Sequence, residues 1–195
     1  MNAIRSILVF AWLVISVIPI GLTLVFCSLF LKDDKLWWWF AVPWLKGVIG
    51  AARIVGGVRY RVHGEENLPA AEDMRRVVLC PKHQSTWETF FFPSMTSHPL
   101  AYVFKKELLR IPVFGWCIGA IDMIHIDRDK RNEAWAKVAE QGRELMDRGK
   151  WIIMFPEGTR TERGKKGNYK AGATRLAVAT GACVIPLAVT SGRCW

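Results

Sequence analysis

Val77-Val78-Leu79-Cys80-Pro81-Lys82-His83-Gln84-Ser85-Thr86-Trp87-Glu88-Thr89 is the stretch that decides the fold. Its four leading apolar residues, closed by turn formers, read as a short buried strand. Pro81 and the Ser85-Thr86 pair supply a strand-to-helix turn, and a helix is expected from Ser85 to Met95. The same stretch sets a histidine and a carboxylate five positions apart. On a regular helix five residues rotate by about 500°, leaving the two side chains roughly 140° apart. His83 and Glu88 therefore meet only if His83 lies in the turn and Glu88 in the first turn of the helix. A histidine can take and return a proton near neutral pH. A carboxylate beside it fixes the tautomer and stabilises the imidazolium. Ser85-x-x-Glu88 reads equally as a capping box, in which Glu88 reaches back to a backbone N–H and does no chemistry.

Outward from this stretch the chain alternates strands and helices. Val58 to Val62 alternates like a half-buried strand. Ala101 to Phe104, Ile121 to Ile126, Trp151 to Phe155 and Cys183 to Val189 read as further strands. Asp129 to Arg148 is a charged amphipathic helix with Trp135, Val138, Gly142 and Leu145 on one face, closed by Gly149. A last helix runs from Ala171 to Thr180 and stops at Gly181. The alternation predicts an α/β fold, a mostly parallel sheet flanked by helices. Pro186 predicts an edge or a bulge for the final strand.

Upstream the texture is different. Ile7 to Leu31 is almost wholly apolar, with the Pro19–Gly21 pair near its middle. At about 1.5 Å per residue it can cross a bilayer core of about 30 Å. No small-x-small site precedes the tryptophan cluster, which favours a retained anchor over a cleaved signal peptide. Pro19 and Gly21 predict a kink or a re-entrant hairpin. Leu36 to Leu45, rich in tryptophan, is too short to span; it suits the headgroup layer or a buried helix. Lys32, Lys35, Lys46, Arg53, Arg59 and Arg61 follow the apolar run and only Arg5 precedes it, so the downstream domain is expected on the cytoplasmic side. Residues 1–55 thus read as a membrane-embedded helical anchor with an aromatic segment, and residues 56–195 as the α/β domain.

Lys and Arg number 27 against 17 Asp and Glu, a net charge of +10. That surplus favours an anionic partner such as lipid headgroups or a phosphate-bearing substrate. Ten tryptophans tilt the choice toward a membrane interface, and no reading helix for nucleic acid accompanies the charge. The cysteines (Cys27, Cys80, Cys117, Cys183, Cys194) have neither disulfide-framework nor metal-site spacing, so no metal is expected.

Chemistry in such a sheet belongs at the carboxyl ends of the strands. Besides His83 and Glu88, Phe155-Pro156-Glu157-Gly158-Thr159-Arg160 leaves a strand there. Gly158 permits close approach of backbone to a ligand, and Arg160 can hold a phosphate through a bidentate fork; a tight turn with a solvated arginine is the plain alternative. A nucleotide P-loop is rejected, because five residues separate Gly158 from Gly164 and Lys165 is followed by Lys166. Lys105 and Arg128 place cations at two further strand ends, where a solvated basic face is the simpler reading. Cys80 reads as a small buried strand residue or as a covalent acyl carrier.

His83-x4-Glu88, the segment from Lys105 to Arg128, Phe155 to Arg160, and Val184-Ile-Pro-Leu-Ala188 occur in this order. The series resembles the four motifs of the glycerolipid acyltransferases, in particular the bacterial 1-acyl-glycerol-3-phosphate acyltransferases, over roughly residues 56 to 192. The resemblance implies that His83 is the catalytic base, oriented by Glu88 where the family usually has aspartate. It implies Lys105 and Arg128 as phosphate-side cations, Glu157, Gly158, Thr159 and Arg160 as the acceptor-binding motif, and Lys170 as a following basic residue. It also implies transfer of an acyl group from coenzyme A or acyl carrier protein to lysophosphatidate, with no bound cofactor, at the bacterial inner membrane. Another lysolipid, glycerol-3-phosphate, or a non-enzymatic lipid-binding module are the rival readings. Members of the family usually continue past the fourth motif, so a further closing element of the sheet is expected beyond Trp195.

Overall fold

The structure, a computed structural model, describes residues 3–32, 34–126 and 131–192. Five parallel strands form one sheet: β1 (Val77–Pro81), β2 (Leu100–Lys105), β3 (Ile124–Ile126), β4 (Trp151–Ile153) and β5 (Cys183–Leu187). Their spatial order is β3-β2-β4-β1-β5. Val77, Val78 and Leu79 of β1 and Ile152 of β4 are fully buried, as expected of central strands covered on both faces. Pro186 sits in β5, which is an edge strand and tolerates the missing N–H.

Among the described residues four α-helices connect the strands: α4 (Trp87–Met95), α5 (Phe114–Ala120), α6 (Arg131–Asp147) and α7 (Gly172–Thr180). On one face Val77, Leu79, Trp151 and Ile153 pack with Phe91 and Phe92 of α4. On the other, Val78, Ala101 and Ile152 pack with Val138 and Leu145 of α6 and Leu176 of α7. Each such aliphatic side chain contributes about 1.5–3 kcal/mol on burial. The connections leaving β1 and β2 cross the sheet in one direction, and those leaving β3 and β4 return in the other. The neighbours β2 and β4 send their connections apart, which opens a crevice at the carboxyl end of the sheet, beside β1. The two sequence stretches singled out for chemistry both emerge there.

The N-terminal part is a helical hairpin laid against the α4 side. α1 (Ala3–Cys27) is one continuous helix through Pro19, so the apolar run forms no re-entrant hairpin of its own. α2 (Asp34–Leu36), a π-helical stretch Trp37–Ala41 and α3 (Val42–Ile54) follow end to end. The Trp44 indole donates to Ser16 Oγ at 3.0 Å, the Trp12 ring lies over Gly47, and the Arg5 guanidinium lies over Gly57. These pairs run in opposite senses, so α1 and α3 are antiparallel. α1 is long and apolar enough to cross a membrane, and little of it is buried. The aromatic segment is two-sided: Trp37 is in the core and Trp39 is 61% exposed. α3 shares one apolar cluster with β1 and β4, so the change of texture near residue 55 is not a break in packing.

One sequence expectation gives way here, and one element carries no sequence signal. Residues 58–62 form no strand; Tyr60 packs instead on Trp87 and Phe91 of α4 with ring centroids 5.5 and 4.8 Å away. Alternation reports a half-buried chain without saying what buries it. α5 was not foreseen, because seven residues with two glycines carry no helical period. Arg128 lies outside the described residues, as does Cys194.

Candidate active site

His83 occupies the turn after β1, and α4 begins at Trp87, so Glu88 falls in its first turn. His83 Nδ1 lies 3.2 Å from Glu88 Oε1. Oε1 also accepts the backbone N–H of Ser85 at 2.6 Å and that of Gln84. One carboxylate thus ties down the turn, as the capping reading expects, and at the same time lies against the imidazole. Glu88 is fully buried. Burial alone would raise its pKa, but hydrogen bonds from His83, Ser85 and the two backbone N–H groups outweigh that and lower it to about 2. A charged Glu88 fixes the proton on Nδ1 and leaves Nε2 as the basic nitrogen. Among the described residues Nε2 has no hydrogen-bond partner. The ring is stacked on Phe155 at 3.9 Å between centroids, which fixes its plane.

The loop after β4 braces this turn. Glu157, 2% exposed, accepts from Lys82 Nζ at 3.1 Å and from the His83 backbone N–H at 3.4 Å. Lys82 also donates to Thr161 Oγ1 at 3.1 Å, and the Thr161 N–H donates to the His83 carbonyl at 2.8 Å. Glu157 is thus a buried strut beneath the histidine rather than a group facing the cavity. Gly158 adopts φ +66°, and the Lys170 side chain lies directly over it, where a Cβ would come within 3.0 Å of Nζ. Thr159, Arg160 and Lys170 are exposed. Lys105, also exposed, ends β2 beside β4.

A cavity of about 510 Å3 opens at His83. Its walls are apolar, drawn from Leu24 of α1, Trp44 of α3, Phe90 of α4, Val103 of β2 and Ile118 of α5. His83 and Arg160 line it as well, whereas Lys105, Glu157 and Lys170 do not. Tyr102 also lines it and donates its hydroxyl to the Thr89 carbonyl at 2.8 Å. Burial first, and the Glu88 charge second, push the Tyr102 phenol well up, so it stays a neutral donor. Burial pushes the Cys80 thiol up to about 11, and Cys80 packs on the opposite, α6–α7 side of the sheet. A protonated thiol on that side is no acyl carrier for His83. Among the described residues no cluster of three potential metal ligands exists.

The sequence reading missed Lys82, Gln84, Tyr102, Phe155 and Ser191. Ser191 follows β5, and its Oγ donates to Glu88 Oε2 at 2.8 Å. Lys82 and Gln84 carried a signal as polar neighbours of the histidine, and Phe155 as the first residue of the Phe155–Arg160 stretch.

A family model described as Acyltransferase matches residues 59–190. A 1-acyl-sn-glycerol-3-phosphate acyltransferase of Pseudomonas aeruginosa is 38% identical over 194 residues, covering 100% of this chain and 74% of its own length. The enzyme of that name from Escherichia coli is 32% identical over 121 residues, which is 62% of this chain and 49% of the relative. The crystal structure of the 1-acyl-sn-glycerophosphate acyltransferase of Thermotoga maritima matches with a TM-score of 0.70, covering 95% of this chain and 75% of that one. At 22% identity that likeness is one of fold.

Proposed function

The chain belongs to the acyltransferase family, and from that premise we propose that it moves a fatty acyl group from a thioester to the sn-2 hydroxyl of 1-acyl-glycerol-3-phosphate, forming phosphatidate. One observation carries the reading: the imidazole that Glu88 orients opens into a largely apolar cavity that Arg160 also lines. A cavity of this size falls within the range of small-molecule sites, about 300–1,000 Å3, and its lining suits an alkyl chain.

His83 Nε2 takes the acceptor's hydroxyl proton as that oxygen attacks the thioester carbonyl. The negative charge then rests on the former carbonyl oxygen, and the imidazolium is stabilised by Glu88. Collapse breaks the C–S bond, and His83 returns the proton to the departing sulfur. Arg160 binds the acceptor's phosphate and so places its hydroxyl. Lys105 and Arg128 are assigned to the same phosphate, and Gly158, Thr159 and Lys170 to the acceptor's loop. No metal or bound cofactor enters this sequence; the thioester arrives on coenzyme A or acyl carrier protein. α1 holds the protein at the bacterial inner membrane with the site on the cytoplasmic side, in keeping with the excess of Lys and Arg downstream of it.

Acceptor choice tests the reading. Arg160→Ala should raise KM for lysophosphatidate by about tenfold or more, as for a lost hydrogen bond to a charged group. Unaltered kinetics toward lysophosphatidate would remove Arg160 from the phosphate site, and faster acylation of an uncharged lysolipid would change the substrate class.

A further inference from the structure

The Glu88 carboxylate has two oxygens, and only Oε1 touches His83. Oε2 is held from elsewhere. It accepts the Ser85 hydroxyl from within the same turn and the Ser191 hydroxyl, at 2.8 Å, from the loop after β5. The two serine oxygens are 3.0 Å apart. The loop that brings Ser191 is itself fastened: the backbone N–H groups of Ser191 and Gly192 both donate to the Gln84 side-chain carbonyl, at 3.1 and 3.4 Å. Gln84 is the residue immediately after His83, so the latch and the imidazole sit side by side. Ser191 is 9% exposed.

We propose that Ser191 is a positioning residue for acyl transfer, with Gln84 as the latch that holds its loop against the turn. This rests on the reading of His83 and Glu88 as the proton-handling pair. A glutamate has one more rotatable bond than the aspartate usual at this position, and fixing it costs more side-chain entropy. Its reacting oxygen can swing away from Nδ1 unless the far oxygen is also held. Ser85 moves with the turn that carries Glu88 and cannot anchor that turn to the sheet. Ser191 comes from a separate strand end and can. Proton transfer is sensitive to displacements of about 1 Å, so a slack carboxylate slows the chemical step without altering the phosphate contacts that bind the acceptor.

The experiment is steady-state acyl transfer to lysophosphatidate by the full chain and variants of Ser191, Gln84, Glu88 and His83. Ser191→Ala is expected to lower kcat about tenfold, the scale of losing a hydrogen bond to a charged group, with KM for lysophosphatidate little changed. Ser191→Thr should recover most of the rate, and Gln84→Leu should reproduce the loss. In a Glu88→Gln background, Ser191→Ala should lower the residual rate by less than about twofold, because the two act through one contact. Wild-type kcat in Ser191→Ala, or an equal proportional loss in both backgrounds, overturns the proposal and leaves Ser191 a loop-building residue. A wild-type enzyme that does not depend on His83 overturns the underlying reading as well. Dependence on His83 without dependence on Ser191 overturns the positioning role alone.

Discussion

Glu88 is the residue on which stability and chemistry coincide. Its carboxyl is held at about 2 in the folded protein against an ordinary 4.5. A depressed carboxyl pKa stabilises the fold at any pH above the unfolded value, and that contribution is lost as pH falls through the folded value. The window is therefore about pH 4.5 down to about 2, and the amount at stake is on the order of 3 kcal/mol. Thermal unfolding of wild type and Glu88→Gln in detergent, followed from pH 7 to pH 3, should show their difference shrinking toward the acid end. A difference that stays constant with pH would mean that the Glu88 carboxyl has the same pKa folded and unfolded. The His83–Glu88 pair was legible in the sequence because only five residues and one turn separate the partners. Ser191 and Glu88 lie 103 residues apart, and Lys82 and Glu157 lie 75 apart. Their meeting depends on β1 lying between β4 and β5, which no local pattern encodes.

At the scale of elements, the contact between α1 and α5 sets one wall of the cavity. A Cβ on Gly21 would come within 2.6 Å of Val113 Cγ1 and 2.9 Å of Cys117 Sγ. Val113 itself adopts φ 62°, an unfavourable region for a β-branched residue, at the start of α5. Gly21→Leu overfills this contact and should cost about 1–3 kcal/mol, a fall of about 2–4 °C in thermal midpoint per kcal/mol for a chain of this size. Because Gly21 and Cys117 both line the cavity, the same variant should lose more activity with long-chain than with short-chain substrates. Equal loss across chain lengths would separate this contact from chain accommodation. The elements themselves were read from the sequence wherever a period was long enough. The helix expected at Asp129 to Arg148 appears as Arg131–Asp147, and the stop at Gly181 is a left-handed residue with φ 67°. The five strands were legible as short apolar runs, whereas α5 fell below the length a period needs. The extended run at residues 58–62 was misread because packing on a helix gives the same alternation as a sheet.

On the scale of the whole molecule, charge and apolar surface are arranged together. Arg53, Arg59 and Arg61 surround a depression beside Tyr60, and Arg5, the one charged residue of α1, lies against nearby Gly57. No ion pair involves these four arginines among the described residues. Ile54 is 84% exposed beside them, and α1 presents Ile7, Phe10 and Ile15 outward. A bilayer surface with anionic headgroups matches this combination of cations and apolar side chains. Replacing Arg53, Arg59 and Arg61 by glutamine should weaken flotation with anionic vesicles by about 1 kcal/mol for each charge removed, and added salt should narrow the gap to wild type. Equal flotation at low salt would place these arginines away from the lipid.

In the proposed reaction His83 moves the proton as the acyl group passes to lysophosphatidate. The most direct test is thiol release from an acyl thioester by detergent-purified protein, with and without lysophosphatidate, for wild type and His83→Ala. Release that requires both the acceptor and His83, with phosphatidate as the product, is the predicted result. Release without acceptor, or undiminished release by folded His83→Ala, would contradict it.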